Sequence, residues 1–215
     1  MSTGSPSPRP MPGRPKDPVK RTAILDAAMQ LFSEQGFDGV SMDQIAQTAG
    51  VSKLTVYSHF GDKDGLLSAV VRAHCEREMP MGLFEPTPEQ PLRERLLEIA
   101  GAFFAMINCP ETIAGHRMLC APQDMSPDLP RSFWEAGPAR IQHGLAELLA
   151  RRTEAGELEV EDAGTAAGHF FALLKGEPHA RLMIGYPLEM DAAATQRHLS
   201  SVVELFLRAY RPGRP

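Results

Sequence analysis

Two serines bracket a glycine in the stretch SMDQIAQTAGVSKLTVYSHF, at Ser41, Gly50 and Ser52, and this punctuation limits what the chain can build there. A serine ahead of a helix satisfies a backbone N–H that has no partner within the helix. From Ser41 the pattern predicts a short helix, MDQIAQTA, that turns Ile45 and Ala49 inward. Gly50 supplies a tight turn, and after Val51 the second cap, Ser52, opens another short helix. Helices this short need a brace. Asp17 and Pro18 read as the N-cap and first residue of a longer helix, with Ile24, Ala28, Leu31 and Phe32 spaced along one face. That helix is expected over about 18–35, ended by Gly36, with Phe37 folding back on the core. A brace followed by two short helices across a glycine turn makes a helix-turn-helix, whose second helix enters the DNA major groove.

Helical periodicity continues downstream. Helices are expected over 63–79, 92–108, 111–121, 128–154 with an interruption near Gly137 and Pro138, 162–184 and 191–210, while the proline-rich 80–91 reads as a linker. No segment alternates as a strand would, and no internal repeat is found. The expected fold class is all-α: a three-helix helix-turn-helix domain over 18–64, then a larger helical domain over 65–211. Residues 1–17, rich in Pro, Ser and Gly with interspersed cations, bury too little apolar surface to offset ordering entropy and read as a disordered basic arm.

Charge supports the same polarity. Residues 1–60 carry six Lys/Arg against five Asp/Glu, whereas 61–215 carry sixteen against twenty-two. In the first 21 residues Arg9, Arg14, Lys16, Lys20 and Arg21 face only Asp17, so a polyanion would approach from that end. The longest apolar run, IAGAFFAMI at 99–107, falls well short of the ~20 residues of a membrane span. With no apolar leader and with Cys75, Cys109 and Cys120 forming no CxxC pair, the expected setting is cytoplasmic, without membrane or disulfide framework.

In the second short helix Val51, Val56 and Phe60 suit the core, which leaves Lys53, Leu54, Thr55, Tyr57 and His59 to point outward. Hydroxyls, a phenol and an imidazole near a helix N-terminus suit phosphate oxygens, and Lys63 flanks the same backbone. Lys53 suits guanine, and Leu54 or the Thr55 methyl suits a thymine methyl. With the cap hydroxyls of Ser41 and Ser52, these are the candidate DNA-binding residues. The Pro12-Gly13-Arg14-Pro15 run in the arm is similar to the minor-groove core of an AT-hook, but Pro12 stands where that motif has Arg, and a solvated tail is the plainer reading.

The segment AILDAAMQLFSEQGFDGVSMDQIAQTAGVSKLTVYSHFGDKDGLL resembles the DNA-binding domain of the TetR family of bacterial transcriptional regulators. It shares the alanine-rich first helix with Leu31-Phe32, the Gly36-Phe37 turn, Ile45-Ala46 with Ala49-Gly50-Val51-Ser52, and Val56-Tyr57-x-His59-Phe60-x-x-Lys63. The later SPDLPRSFWEAGPARIQHGLAELLARRTEAGEL resembles the matching segment of the AefR-like branch. The resemblance implies an all-α homodimer on a palindromic double-stranded DNA operator, and a C-terminal domain that binds a small-molecule inducer and dimerises through its last two helices. It also implies phosphate contacts at the positions of Thr55, Tyr57, His59 and Lys63, with Lys53 and Leu54 nearer the bases.

Further candidates come from the residues themselves. Phe103, Phe104, Met106, Met118, Met125, Phe133 and Trp134 are candidates for an apolar ligand pocket, against the plainer reading of core packing for any one of them. Gly164 and Gly168, with Phe170, Phe171, Leu174, Leu199, Val202, Val203, Phe206, Leu207 and Tyr210, give the last two helices wide apolar faces. Two such helices from each of two subunits make a four-helix interface; the alternative is burial within one subunit. His116, Cys120 and Cys109 are near in sequence but offer no fourth ligand, and only Arg117 lies beside them to activate a thiol, so no metal or cofactor is expected. No P-loop, GxGxxG, HExxH or GxSxG is present, and no enzyme is expected. The expected function is a ligand-responsive DNA-binding repressor; the alternative is an α-helical ligand- or partner-binding protein without operator recognition.

Overall fold

The computed structural model describes residues 17–85, 90–120 and 127–213, so the expected arm up to residue 16 and Met125 lie outside the described residues. Among the described residues there are ten α-helices and no strand. The helices are α1 (Pro18–Gln35), α2 (Met42–Thr48), α3 (Lys53–Phe60), α4 (Lys63–Glu78), α5 (Leu92–Asn108), α6 (Pro110–Cys120), α7 (Leu129–Ala136), α8 (Pro138–Glu154), α9 (Ala163–Met183) and α10 (Ala192–Ala209). No single helix among the described residues is long and apolar enough to cross a membrane.

Caps explain most of these boundaries. The Asp17 carboxylate accepts the Val19 N–H at 3.0 Å, with Pro18 in the first turn of α1. At α2 the cap is reciprocal: the Gln44 N–H donates to Ser41 Oγ, and the Ser41 N–H donates to Gln44 Oε1 at 2.8 Å, a capping box that the spacing Ser41-x-x-Gln44 encodes. Asp62, Asp162 and Asp191 accept N–H groups at the starts of α4, α9 and α10. Gly50, at φ 65°, takes the chain from α2 into α3 through a conformation that costs a side-chain-bearing residue energy.

Helices α1 to α4 enclose one core around Ile24, Ala28, Ile45, Val56 and Leu66, all with no measurable exposure, closed from outside by Met118 of α6 and Leu129 of α7. Phe37 does fold back, its ring 5.5 Å from that of Phe32. The second core lies among α5, α8, α9 and α10, around Leu96, Ile99, Leu145, Leu149, Phe170 and Val203. Each such aliphatic or aromatic burial contributes about 1.5–3 kcal/mol. Helix α4 serves both assemblies: Leu66, Leu67 and Val70 pack in the first, and Met79, its C-cap, packs in the second. A boundary drawn at 64/65 therefore falls within the first turn of a helix that joins the two cores.

Two expectations need correction. The region expected as a plain linker holds a turn of 3-10 helix, Met81–Phe84, whose Phe84 is buried against the second core and whose carbonyl accepts from Arg151 at 2.7 Å. Helix α9, expected to run unbroken, is broken at Gly176 (φ 43°, ψ −150°) two residues before Pro178. Proline lacks the N–H that would continue the ladder, and glycine tolerates the resulting backbone. Beyond the break, Arg117 of α6 donates from Nε to the Met183 carbonyl at 2.9 Å and from its guanidinium to the Leu182 carbonyl, which already accepts the Gly185 N–H, so a cation closes the C-terminal end of α9.

Candidate functional site

Helix α3 holds a single fully buried residue, Val56, with Val51 and Phe60 partly buried beside it. The opposite face is open. Leu54 is 78% exposed and Tyr57 41% exposed, and Ser52, Lys53 and Ser58 are exposed around them. Ser52 Oγ accepts the Thr55 N–H at 3.2 Å and lies 2.8 Å from the Thr55 hydroxyl, which fixes both groups at the helix N-terminus. There the first N–H groups and the positive end of the macrodipole face outward, an arrangement suited to anionic oxygens.

The flanking cations are also positioned. Lys53 Nζ pairs with Asp43 of α2 at 2.9 Å, and this carboxylate raises the lysine pKa first through the hydrogen bond and then through its charge. Lys63 Nζ lies over the Phe37 ring, 4.3 Å from its centroid; partial burial lowers its pKa against the opposing pull of Asp38 and Asp64. His59 is half-buried with its ring 5.8 Å from that of Phe60. Ser41, engaged in its capping box, sits at the start of α2. Arg21 of α1 was absent from the candidate set, yet its guanidinium lies 5.5 Å from the Phe60 ring and so borders the end of α3. Its place among the basic residues near the N-terminus was the available signal.

A second feature lies where the two cores meet. A cavity of about 140 Å³ is lined by Phe103 and Met106 of α5, Met118 of α6, and Phe133 and Trp134 of α7. Phe104 is not among its walls: it turns toward α10, its ring 5.3 Å from that of His198. Periodicity places neighbours on one broad face but does not say which neighbour faces a void. The walls include residues that sequence reasoning did not assign to a pocket, notably Met29 and Phe32 of α1, Leu67 and His74 of α4, and Lys175 of α9.

Polar groups around this cavity are held away from their usual protonation. Burial, aided by His179 and Lys175, pushes His116 down to about 4. Burial also lowers Lys175, and it lowers His179 and His74, with Lys175 and Arg77 respectively adding to the effect. The rings of His116 and His179 meet edge to face at 5.5 Å. Cys109 donates to Thr112 Oγ1 at 3.3 Å and lies 3.8 Å from His74 Nε2, while Cys120 is exposed at the end of α6. Burial pushes the Cys75 thiol up to about 11. No three His, Cys, Asp or Glu side chains among the described residues come together as a metal site would require.

Most of the residues assigned to a dimer interface are buried within the subunit, although Phe206 and Tyr210 also line the outer groove of α9 and α10. Phe170, Leu174, Val202, Val203 and Phe206 are buried in the subunit's own core, Phe171 packs on Phe103 at 4.4 Å and lines the cavity, and half-buried Tyr210 meets His169 at 3.1 Å. The apolar surface that α9 and α10 leave outside is a shallow groove with Leu173, Leu205, Ala172 and Ala209 exposed along it.

Comparison with known proteins agrees with this geometry. Residues 24–70 match the family described as bacterial regulatory proteins, tetR family, and residues 94–212 match the AefR-like transcriptional repressor C-terminal domain. The chain is 30% identical over 156 residues to the HTH-type transcriptional repressor ComR of Escherichia coli (strain K12), covering 68% of this chain and 70% of ComR. It is 43% identical over 63 residues to the regulator BetI of Rhizobium meliloti (strain 1021), a match that spans only 31% of BetI. In three dimensions it resembles the flavonoid-responsive regulator FrrA with a TM-score of 0.73 and 32% identity, over 91% of this chain and 98% of that one.

Proposed function

The chain belongs to the TetR family of bacterial transcriptional regulators, and from that premise we propose that it is a ligand-responsive repressor whose dimer grips a palindromic operator through α3 of each subunit. The observation that carries this reading is the open face of α3. A leucine 78% exposed beside a partly exposed tyrosine, on a helix whose other side is anchored by Val56, has no task within the subunit. A major groove supplies one. In this reading Thr55, Tyr57, His59 and Lys63, with the Ser41 and Ser52 hydroxyls, engage phosphates, and Lys53 and Leu54 reach base edges. Arg21 adds a phosphate contact from α1.

The cavity supplies the response. Its walls include Met29 and Phe32 of α1 and Leu67 and Val70 of α4, all packed in or against the DNA-binding core, so a ligand there touches the elements that carry α3. Release follows if the ligand favours a conformation in which the two α3 helices no longer match half-sites about 34–36 Å apart, and by linkage DNA weakens ligand binding by the same factor. The groove at Leu173 and Leu205 is the surface through which the subunits pair in this reading. A mobility-shift assay on the chain's own promoter region at two salt concentrations tests it. Tyr57→Phe and Lys63→Ala weaken binding to all sequences, whereas Leu54→Ala changes base preference; equal binding by wild type and all three variants overturns the assignment.

A further inference from the structure

Among the described residues Lys175 is the one lysine on the cavity wall; it is half-buried and makes no hydrogen bond or ion pair with them. It stands at the last position before the backbone breaks at Gly176. A lysine in such a place normally either reaches water or finds a carboxylate. Glu111, which lines the same cavity, is exposed, and its charge is coupled to His74 and Arg77 and not to Lys175. The groups coupled to Lys175 are His116 and His179, both bases that burial keeps neutral and neither able to compensate a cation. Burial is the sole cause of the lowered Lys175 pKa, and no anion among the described residues acts on it.

The remaining wall is rich in rings: Phe32, Phe103, Phe133, Trp134 and Phe171. Building on the ligand-responsive reading above, we infer that the cavity takes an aromatic organic acid, its ring among these side chains and its carboxylate or acidic phenol on Lys175. The acid supplies an anion that the described residues do not, and a neutral imidazole donates one N–H to the same carboxylate. The rings offer offset and edge-on contacts to a flat body. At about 140 Å³ the cavity matches in size an engineered apolar cavity of about 150 Å³ that admits benzene, so it suits one aromatic ring and not two.

The chain has a single tryptophan, Trp134, on the cavity wall, so its fluorescence reports on occupancy. The full-length protein is titrated with para-ethylbenzoate, its uncharged counterpart para-ethylbenzamide, and octanoate. The benzoate is expected to bind about tenfold or more tightly than the amide, the factor that one charge-assisted hydrogen bond supplies, and to bind more tightly than octanoate. Lys175→Met abolishes the preference for the acid and Lys175→Arg keeps it, with thermal unfolding of both variants followed to show that they fold. Equal binding of benzoate and amide to the wild type, or an acid preference that survives Lys175→Met, overturns the inference alone and leaves the cavity as a ligand site. Tighter binding of octanoate overturns the aromatic assignment. Failure of all three probes to bind overturns the inference together with the ligand-responsive reading.

Discussion

Lys53 is engaged with Asp43 at 2.9 Å, so the residue proposed to read bases must leave a carboxylate for the neutral acceptors of a base edge. An exposed pair of this kind holds little energy, and its effect on binding exceeds its effect on folding. Asp43→Asn frees the lysine and removes a carboxylate from the approaching phosphates. We expect it to raise affinity for any duplex and steepen the salt dependence by about one unit of slope, measured by fluorescence anisotropy across a salt series. An unchanged affinity and slope would show that Asp43 neither restrains Lys53 nor opposes the approaching phosphates. His116 makes a different prediction. Its folded pKa of about 4 lies below the ordinary histidine value, so the unfolded chain binds more protons between the two, and stability falls as pH drops through that window. Partial exposure reduces the size of this contribution to about 1–2 kcal/mol. His116→Phe keeps a ring against Phe133 but has nothing to protonate; its urea midpoint should fall less than that of the wild type between neutral pH and the lower edge of the window. Neither the Asp43 pair nor the Lys175 environment was legible in the sequence, because both depend on how separate helices are placed against one another. The outward set on α3 was legible, because Ser52 fixes where that helix starts and Val56 fixes which side is inward.

Helix ends were the most readable feature of the fold. Asp17, Ser41, Ser52, Asp62, Asp162 and Asp191 each accept a first-turn N–H, and capping is a local interaction that a sequence states directly. The break in α9 was missed although Gly176 and Pro178 signalled it in the sequence, because the apolar spacing of Phe170, Phe171 and Leu174 just ahead of them was extended through both. Gly176 tests the cost of that break. A Cβ there meets only ordinary van der Waals neighbours, Pro178 Cδ at 3.6 Å and His198 Cε1 at 3.8 Å, so the penalty for Gly176→Ala comes from the backbone at φ 43° and not from crowding. Chemical denaturation should show a loss of about 1–3 kcal/mol. A variant as stable as the wild type would mean that the chain straightens through this position without penalty. Because Lys175 immediately precedes the break, the same substitution should also weaken binding of para-ethylbenzoate.

At the level of the whole molecule, the amphipathic pattern gave α9 and α10 wide apolar faces without dividing them between the subunit's own core and an outer surface. A wide apolar face records that a side is buried and leaves open whether the cover is the same chain or a second copy. Here most of the large side chains turn inward, with Phe206 1% exposed and Phe170 fully buried, and the surface left for pairing exposes Leu173, Leu205, Ala172 and Ala209, with Tyr210 and the edge of Phe206 beside them. This division separates two mutational outcomes. Phe206→Ala empties a packed core site and should cost about 3–5 kcal/mol in subunit unfolding. Leu205→Asp, at a side chain already 46% exposed, should leave the unfolding of the subunit nearly unchanged while placing a desolvated carboxylate in any interface. Sedimentation should then find a monomer, and operator affinity should fall by about two to four orders of magnitude, because the second half-site is no longer reached at the effective concentration that a paired subunit provides. Binding to an isolated half-site should be preserved, since α3 lies in the other core and its cap and inward Val56 are untouched. A Leu205→Asp protein that remains dimeric would place the interface on another face. One that turns monomeric but keeps full operator affinity would show that one subunit's contacts suffice and that the paired arrangement of α3 contributes nothing to recognition.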